Sequence, residues 1–152
     1  MQLKLDQYDI LIHPEPLAIL EKFTQNKPKL PEAGGVILGK IIDGQINITK
    51  LSVPTPLDRC SRTNFERHKT SAQIILDYEF YNSNGQTVYL GEWHTHPEPF
   101  PTPSGTDLKM IDSQFRNNDL RTDFLLLVIK GTSGMYLRMV NNKGFRELRL
   151  TL

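Results

Sequence analysis

The chain has 152 residues, of which 38% are hydrophobic and 23% are charged, and its formal net charge is +1. This length and balance favour one globular domain spanning residues 1–152, and the near-neutral charge argues against a broad basic surface for nucleic acid. No apolar run approaches the ~20 residues that cross a bilayer, no secretory signal is visible, and the one cysteine cannot form an internal disulfide. We therefore expect a cytoplasmic protein that binds neither nucleic acid nor a membrane.

The first half of the chain predicts a helix among strands. A β-branched run predicts a strand over Tyr8–Ile12, and apolar residues at helical spacing predict a helix over Pro16–Phe23. The run Gly34–Ile42 predicts a buried strand. Asp43-Gly44 is typical of a hairpin turn, which leads into a partner strand over Gln45–Val53.

The second half continues the alternation. A long polar connection, Pro54–Thr70, precedes a helix predicted over Ser71–Tyr81, and the helical period places four apolar side chains on its buried face: Ile74, Ile75, Tyr78 and Tyr81. A strand begins at Thr87, and a second long helix runs from near Ser104 to about Phe115. Three further strands are predicted: Asp123–Lys130, Met135–Val140 and Phe145–Leu152. The whole pattern predicts an α/β (α+β) domain, a curved mixed sheet flanked by two or three helices.

Two closely spaced histidines and a later aspartate form a candidate metal site. In an extended strand, His94 and His96 leave the same face, so both imidazoles can reach one ion. Asp107 adds an oxygen ligand, and two nitrogens with one carboxylate leave a fourth position for water, as in catalytic zinc sites. Each part of this candidate site also has a simpler explanation. The two histidines can be an incidental His-x-His, and Ser104 and Asp107 can form a helix-capping box. The capping and metal explanations are compatible.

The residues His94-Thr95-His96-Pro97, followed by Ser104 and Asp107, resemble the JAMM (JAB/MPN/Mov34) metallopeptidase motif H-[ST]-H-P-x6-S-x2-D. Glu32, just before a Gly-rich apolar strand, matches the family's upstream glutamate. The resemblance covers about residues 10–140 and implies a cytidine-deaminase-like MPN/JAB domain.

By this resemblance, one zinc ion per chain is held by His94, His96 and Asp107. Glu32 would be the general acid/base, taking the proton of a zinc-bound water and passing it to the leaving amine. Ser104 would donate a hydrogen bond to the oxyanion of the attacked carbonyl.

The longer block from Thr63 to Leu108 is similar to small bacterial family members found beside E1-like and E2-like proteins in CBASS anti-phage operons. This similarity implies a deubiquitinase-like isopeptidase. Such an enzyme cuts the amide bond between the C-terminus of a conjugated protein, such as a cyclic-oligonucleotide synthase, and its target. Alternatives are deconjugation of a bacterial ubiquitin-like modifier, sulfur-carrier processing, and a non-catalytic MPN binding module.

Such a substrate would present an extended C-terminal tail, which an exposed strand edge could bind by β-augmentation. We expect the Pro54–Thr70 segment to be one wall of that groove. Its basic residues would meet an acidic partner, unless the segment is only a solvated loop: Arg59, Arg62, Arg67 and Lys69.

Five other residues have competing explanations. Glu92 shares a strand face with the histidines and can orient one of them or face solvent, and we expect the second. We expect His13 and His68 to be surface or capping residues, Cys60 an ordinary loop cysteine, and Trp93 a core residue pointing away from the histidines.

Overall fold

The computed structural model describes residues 1–152 and contains ten strands and three helices. In chain order the elements are β1 (Gln2–Leu5), β2 (Tyr8–Ile12), α1 (Pro14–Lys22), β3 (Gly34–Ile42), β4 (Gln45–Leu51), β5 (Arg59–Ser61), β6 (Asn64–Glu66), α2 (Lys69–Asn82), β7 (Val88–Thr95), α3 (Gly105–Asn117), β8 (Phe124–Lys130), β9 (Gly134–Asn141) and β10 (Gly144–Thr151). None of the three helices combines the length and the apolar composition that a membrane-spanning helix needs.

Eight strands form one mixed sheet in the order β1-β2-β4-β3-β7-β8-β9-β10. The pairs β2–β4 and β7–β8 are parallel, and the other pairs are antiparallel. The two edge strands approach each other, and Arg146 on β10 pairs with Asp6 beside β1 at 2.7 Å. The sheet is therefore strongly curved. β5 and β6 form a separate two-stranded hairpin.

The helices cover both faces of the sheet. Leu20 of α1 belongs to the largest buried cluster, which includes Leu126 and Val128 of β8. Ile111 of α3 packs on the other face of the same strand, because successive side chains of a strand point to opposite faces. Ala72 of α2 packs against β3 on that second face. The predicted fold class, a curved mixed sheet flanked by helices, is confirmed.

The predicted hairpin at Asp43-Gly44 is confirmed. Both residues have positive φ angles, 49° and 79°, which a two-residue type I′ turn requires. The predicted strand Gly34–Ile42 matches β3 in both bounds.

The predicted buried face of α2 is wrong for three residues. Ile74, Tyr78 and Tyr81 are 63%, 65% and 75% exposed, whereas Ala72, Ile75 and Leu76 pack towards the sheet. α2 carries apolar residues on more than one face, so the helical period alone could not select the buried one.

The structure also adds elements that the sequence pattern did not predict. β1 is only four residues long and precedes the first predicted strand. The polar connection predicted over Pro54–Thr70 contains β5, β6 and the first residues of α2. β5 and β6 have three residues each, too short for a two-residue alternation to be recognised.

Candidate metal centre

The C-terminal end of β7 places two histidines side by side, His94 within the strand and His96 immediately after it. His94 and His96 are 6% and 8% exposed, and their Nε2 atoms lie 3.2 Å apart. Trp93 points to the opposite face, is 1% exposed, and donates its indole N–H to the Ser52 carbonyl at 2.9 Å. The prediction that both imidazoles share one face, with the tryptophan in the core, is confirmed.

The first turn of α3 brings Asp107 to the histidines. Ser104 caps the helix: its Oγ accepts the Asp107 N–H at 3.1 Å, and the Asp107 Oδ2 accepts the Ser104 N–H at 2.6 Å. The predicted capping box is therefore confirmed. The same carboxylate reaches His94 Nε2 from Oδ1 at 3.2 Å and His96 Nε2 from Oδ2 at 3.5 Å. One side chain thus caps the helix and faces both imidazoles.

The three side chains His94, His96 and Asp107 form a set of donor atoms that could hold a metal ion, all within 4.8 Å of one another. Burial acts to raise the pKa of Asp107, but hydrogen bonds from both histidines hold it well below its usual range. Burial acts to lower the pKa of His96, but the hydrogen bond to Asp107 and the charge of Glu32 raise it. His96 and Asp107 therefore stabilise each other's charged forms, and a cation that binds His96 competes with a proton for its imidazole.

Glu32 lies next to this set. Its Oε1 is 3.9 Å from His96 Nε2, and the residue is 6% exposed. Burial raises its pKa to about 7, while the charge of His96 acts to lower it. A carboxyl group with such a pKa can accept and release a proton near neutral pH.

Thr95 fixes the segment that carries Glu32 beside the histidines. Its N–H donates to the Ala33 carbonyl at 2.9 Å, and its Oγ1 accepts the Ala33 N–H at 3.0 Å. Its hydroxyl then donates to Gln25 Oε1 at 3.0 Å. The sequence analysis assigned no role to Thr95 or Gln25. The signal in the sequence was a threonine between the two histidines. Such a threonine faces the core of an apolar strand, where a buried hydroxyl needs hydrogen-bond partners.

The set lies at the base of an open cleft of about 1090 Å³, bounded by the β5–β6 hairpin, the start of α2 and the start of α3. All five predicted site residues line it: Glu32, His94, His96, Ser104 and Asp107. Part of the Pro54–Thr70 segment also lines it, including Arg59, Phe65 and Lys69.

Comparison with known protein families identifies the family of this chain. A family model described as prokaryotic homologs of the JAB domain matches residues 18–149. The chain belongs to the prokaryotic JAB family.

Three relatives of this JAB domain are each described as "CD-NTase/cGAS isopeptidase". The relative from Escherichia coli is 38% identical over 107 residues, which cover 69% of each chain. The relative from Pseudomonas aeruginosa is 36% identical over 114 residues, covering 74% of this chain and 71% of its own. The relative from Vibrio cholerae is 34% identical over 107 residues, covering 70% of this chain and 66% of its own.

Two solution structures share the fold of the JAB domain. A protein from Desulfitobacterium hafniense aligns with a TM-score of 0.60 at 17% identity, over 91% of this chain and 89% of its own. A protein from Salinibacter ruber aligns with a TM-score of 0.50 at 18% identity, over 93% and 90%. At these identities the similarity supports the fold alone.

The expectation that Glu92 faces solvent is wrong. Glu92 is 5% exposed, and Arg67 binds it with Nε 2.9 Å from both carboxylate oxygens and Nη2 2.7 Å from Oε1. The Tyr89 hydroxyl donates to Oε1 at 2.6 Å. None of these hydrogen bonds reaches a histidine, so Glu92 does not orient a candidate ligand directly. The prediction that Arg67 meets a partner is also wrong, because its guanidinium is occupied within the JAB domain.

The remaining candidates lie outside the donor set. His68 is the N-cap of α2, where its Nδ1 accepts the Ser71 N–H at 3.3 Å, so the predicted capping role is confirmed. His13 occupies the N-cap position of α1 without a side-chain capping bond, and its Nε2 lies 3.2 Å from Asn47 Oδ1. Cys60 is exposed on β5.

Proposed function

We propose that this JAB domain is a zinc-dependent isopeptidase. It would hydrolyse the amide bond that joins the C-terminus of a CD-NTase-class protein to its target. The spacing of the donor groups carries the proposal. Ligand atoms about 2.0–2.1 Å from one tetrahedral zinc ion lie about 3.3–3.4 Å apart. The two imidazole Nε2 atoms are 3.2 Å apart, and the Asp107 carboxylate lies 3.2 Å from His94 Nε2 through Oδ1 and 3.5 Å from His96 Nε2 through Oδ2. The similarity to relatives described as CD-NTase/cGAS isopeptidases supports the substrate class.

In this proposal His94, His96 and Asp107 hold the ion, and Glu32 moves the proton. Zinc, when bound, supplies a Lewis acid that makes water a nucleophile near neutral pH. Glu32 takes the proton of the attacking water and delivers it to the nitrogen of the leaving amine. Its position beside His96 and its pKa of about 7 suit both transfers.

Ser104 would stabilise the oxyanion of the attacked carbonyl. Its Oγ already accepts the Asp107 N–H in the capping box. A hydroxyl also carries one donor hydrogen, which the cap leaves free. The side chain lines the cleft, so this hydrogen can point at the substrate. One such donor is worth about 3 kcal/mol of transition-state stabilisation.

The cleft suits an extended C-terminal tail, with the β5–β6 hairpin as one wall. E1-like and E2-like proteins of the same pathway would make the conjugate that this enzyme removes. A tail in the cleft would bring its terminal carbonyl to the donor set at the base, where Glu32 and Ser104 lie.

The test uses the zinc-loaded protein and a CD-NTase-class protein joined through its C-terminal carboxyl group to a lysine of a carrier. We expect about one zinc per chain by elemental analysis and release of the unmodified C-terminus, measured by mass spectrometry. Treatment with a chelator should abolish the release, and restored zinc should return it. Zinc binding without any cleavage would favour the non-catalytic binding module, and the absence of zinc binding would refute the metal site.

A further inference from the structure

The β5–β6 hairpin contacts the site-forming segments at three points. The Ser61 carbonyl accepts the backbone N–H of Glu32 at 2.7 Å. The Phe65 ring lies over Gly34, where an added Cβ would be 2.5 Å from the Phe65 Cδ1. Arg67, immediately after β6, binds Glu92 on β7. The hairpin therefore rests on the segment that supplies Glu32 and on β7, the strand that supplies His94 and ends one residue before His96.

The turn of the hairpin is also bound at Arg62, whose carbonyl accepts from Gln25 Nε2 at 3.0 Å and whose Nη1 donates to the Lys27 carbonyl at 3.3 Å. The hairpin itself contributes little to its own stability. Both of its strands have three residues. Five of these six residues are exposed, and Phe65 is half-buried. An isolated two-stranded hairpin is at best marginally stable in water. Its position must therefore come from its contacts with the rest of the domain.

The Arg67–Glu92 pair is the strongest of these contacts. The guanidinium engages both carboxylate oxygens at 2.7–2.9 Å, and the side chains are only 18% and 6% exposed. Charge-assisted pairs with this planar geometry are stronger and more directional than neutral hydrogen bonds. Tyr89, also on β7, donates to the same carboxylate and fixes its orientation.

Glu92 precedes His94 by two residues, so its carboxylate is on the same strand face as the histidines. All of its hydrogen bonds nevertheless go to Arg67 and Tyr89. The carboxylate thus links the histidine-bearing strand to the end of the hairpin, and the hairpin in turn holds the Glu32 backbone through Ser61.

We propose that Arg67 and Glu92 are positioning residues that hold the β5–β6 hairpin against β7. The hairpin then fixes Glu32 beside the histidines and forms a wall of constant position for the substrate tail. The kinetic part of this inference rests on the proposed isopeptidase function. The part that concerns the backbone of Glu32 can be measured without any substrate.

The test compares the zinc-loaded wild type with Glu92→Gln and with the double variant Arg67→Gln/Glu92→Gln. The double variant removes both charges together, so it leaves no unpaired buried charge that could prevent folding. The matched control is Glu79→Gln, which breaks the partly exposed ion pair of α2 with Lys50 on β4 and leaves the hairpin contacts intact.

Amide hydrogen exchange at Glu32 is the decisive measurement. We expect exchange at this amide and at the hairpin amides to rise about 10-fold or more in both test variants, because losing a charge-assisted contact favours local opening. The His96 amide, which donates to the Lys130 carbonyl in the main sheet, should remain protected. KM for the conjugate should rise and kcat should fall, while zinc stays at about one per chain. Glu79→Gln should change none of these values.

Two results would overturn the inference. Unchanged exchange at Glu32 in both test variants would show that the pair does not position the hairpin. An equal rise at Glu32 and His96 would show that the pair contributes only to global stability. If the wild type itself cleaves no conjugate, the proposed function fails, whereas the exchange result still decides whether the pair holds the hairpin.

Discussion

Replacement of Glu32 by glutamine should raise the free energy of unfolding of the metal-free protein. The same replacement should remove the activity of the zinc-loaded protein. Burial raises the pKa of Glu32 from 4.5 to about 7 in the folded chain. The folded state therefore binds this proton more tightly than the unfolded state, and stability falls as the pH rises from 4.5 to 7. Above pH 7 the ionised side chain costs the metal-free protein about 3 kcal/mol, at about 1.4 kcal/mol per pKa unit.

Glu32→Gln removes this penalty because the amide is neutral at every pH and nearly the same size. The gain should be about 3 kcal/mol at pH 8 and under about 1 kcal/mol at pH 5, where the folded wild type is already protonated. Activity should fall about 10²- to 10⁴-fold, because an amide cannot accept the proton of water. Zinc should remain bound, since Glu32 lies outside the set of three donors.

The assay is urea unfolding with a chelator at pH 5 and pH 8, together with conjugate cleavage and zinc content of the loaded protein. Glu15→Gln makes the same chemical change at an exposed position of α1 and should alter neither stability nor activity strongly. Full activity of Glu32→Gln would refute its role as acid/base. An equal stability gain at both pH values would refute the argument from the burial of charge.

Three further predictions concern the donor set and the hairpin. Asp107→Ala should lose both zinc and activity, and loss of the hydrogen bond from the Ser104 N–H to its carboxylate should cost about 1 kcal/mol; zinc retained at one per chain would contradict its role as ligand. Zinc affinity, measured by chelator competition, should fall as the pH falls through the raised pKa of His96, because a protonated imidazole cannot bind metal; a flat profile from pH 5 to 7.5 would contradict this. Gly34→Ala should cost about 1–3 kcal/mol in urea unfolding, because its Cβ would lie 2.5 Å from Phe65 Cδ1 and 2.7 Å from the Trp93 carbonyl oxygen. Phe65→Ala should restore part of that loss, and full additivity of the two changes would argue against their contact.

The sequence by itself determined the features that depend on local chain geometry. The two-residue period of a strand puts His94 and His96 on one face, and the first turn of a helix brings Ser104 and Asp107 into reciprocal hydrogen bonds. The turn at Asp43-Gly44 follows from its local backbone preferences in the same way. In each of these features, the interacting residues are at most three positions apart.

Only the tertiary structure decided the contacts between distant segments. Glu32 reaches His96 because β3 pairs with β7, with Gly34 opposite His94. Glu92 is buried because Arg67, 25 positions earlier, binds it, and no local pattern encodes that partner. The apolar residues of α2 lie on more than one side of the helix, so packing against the sheet determines which of them are buried. Periodicity shows which side chains share a face, but the packing of the whole chain determines what that face meets.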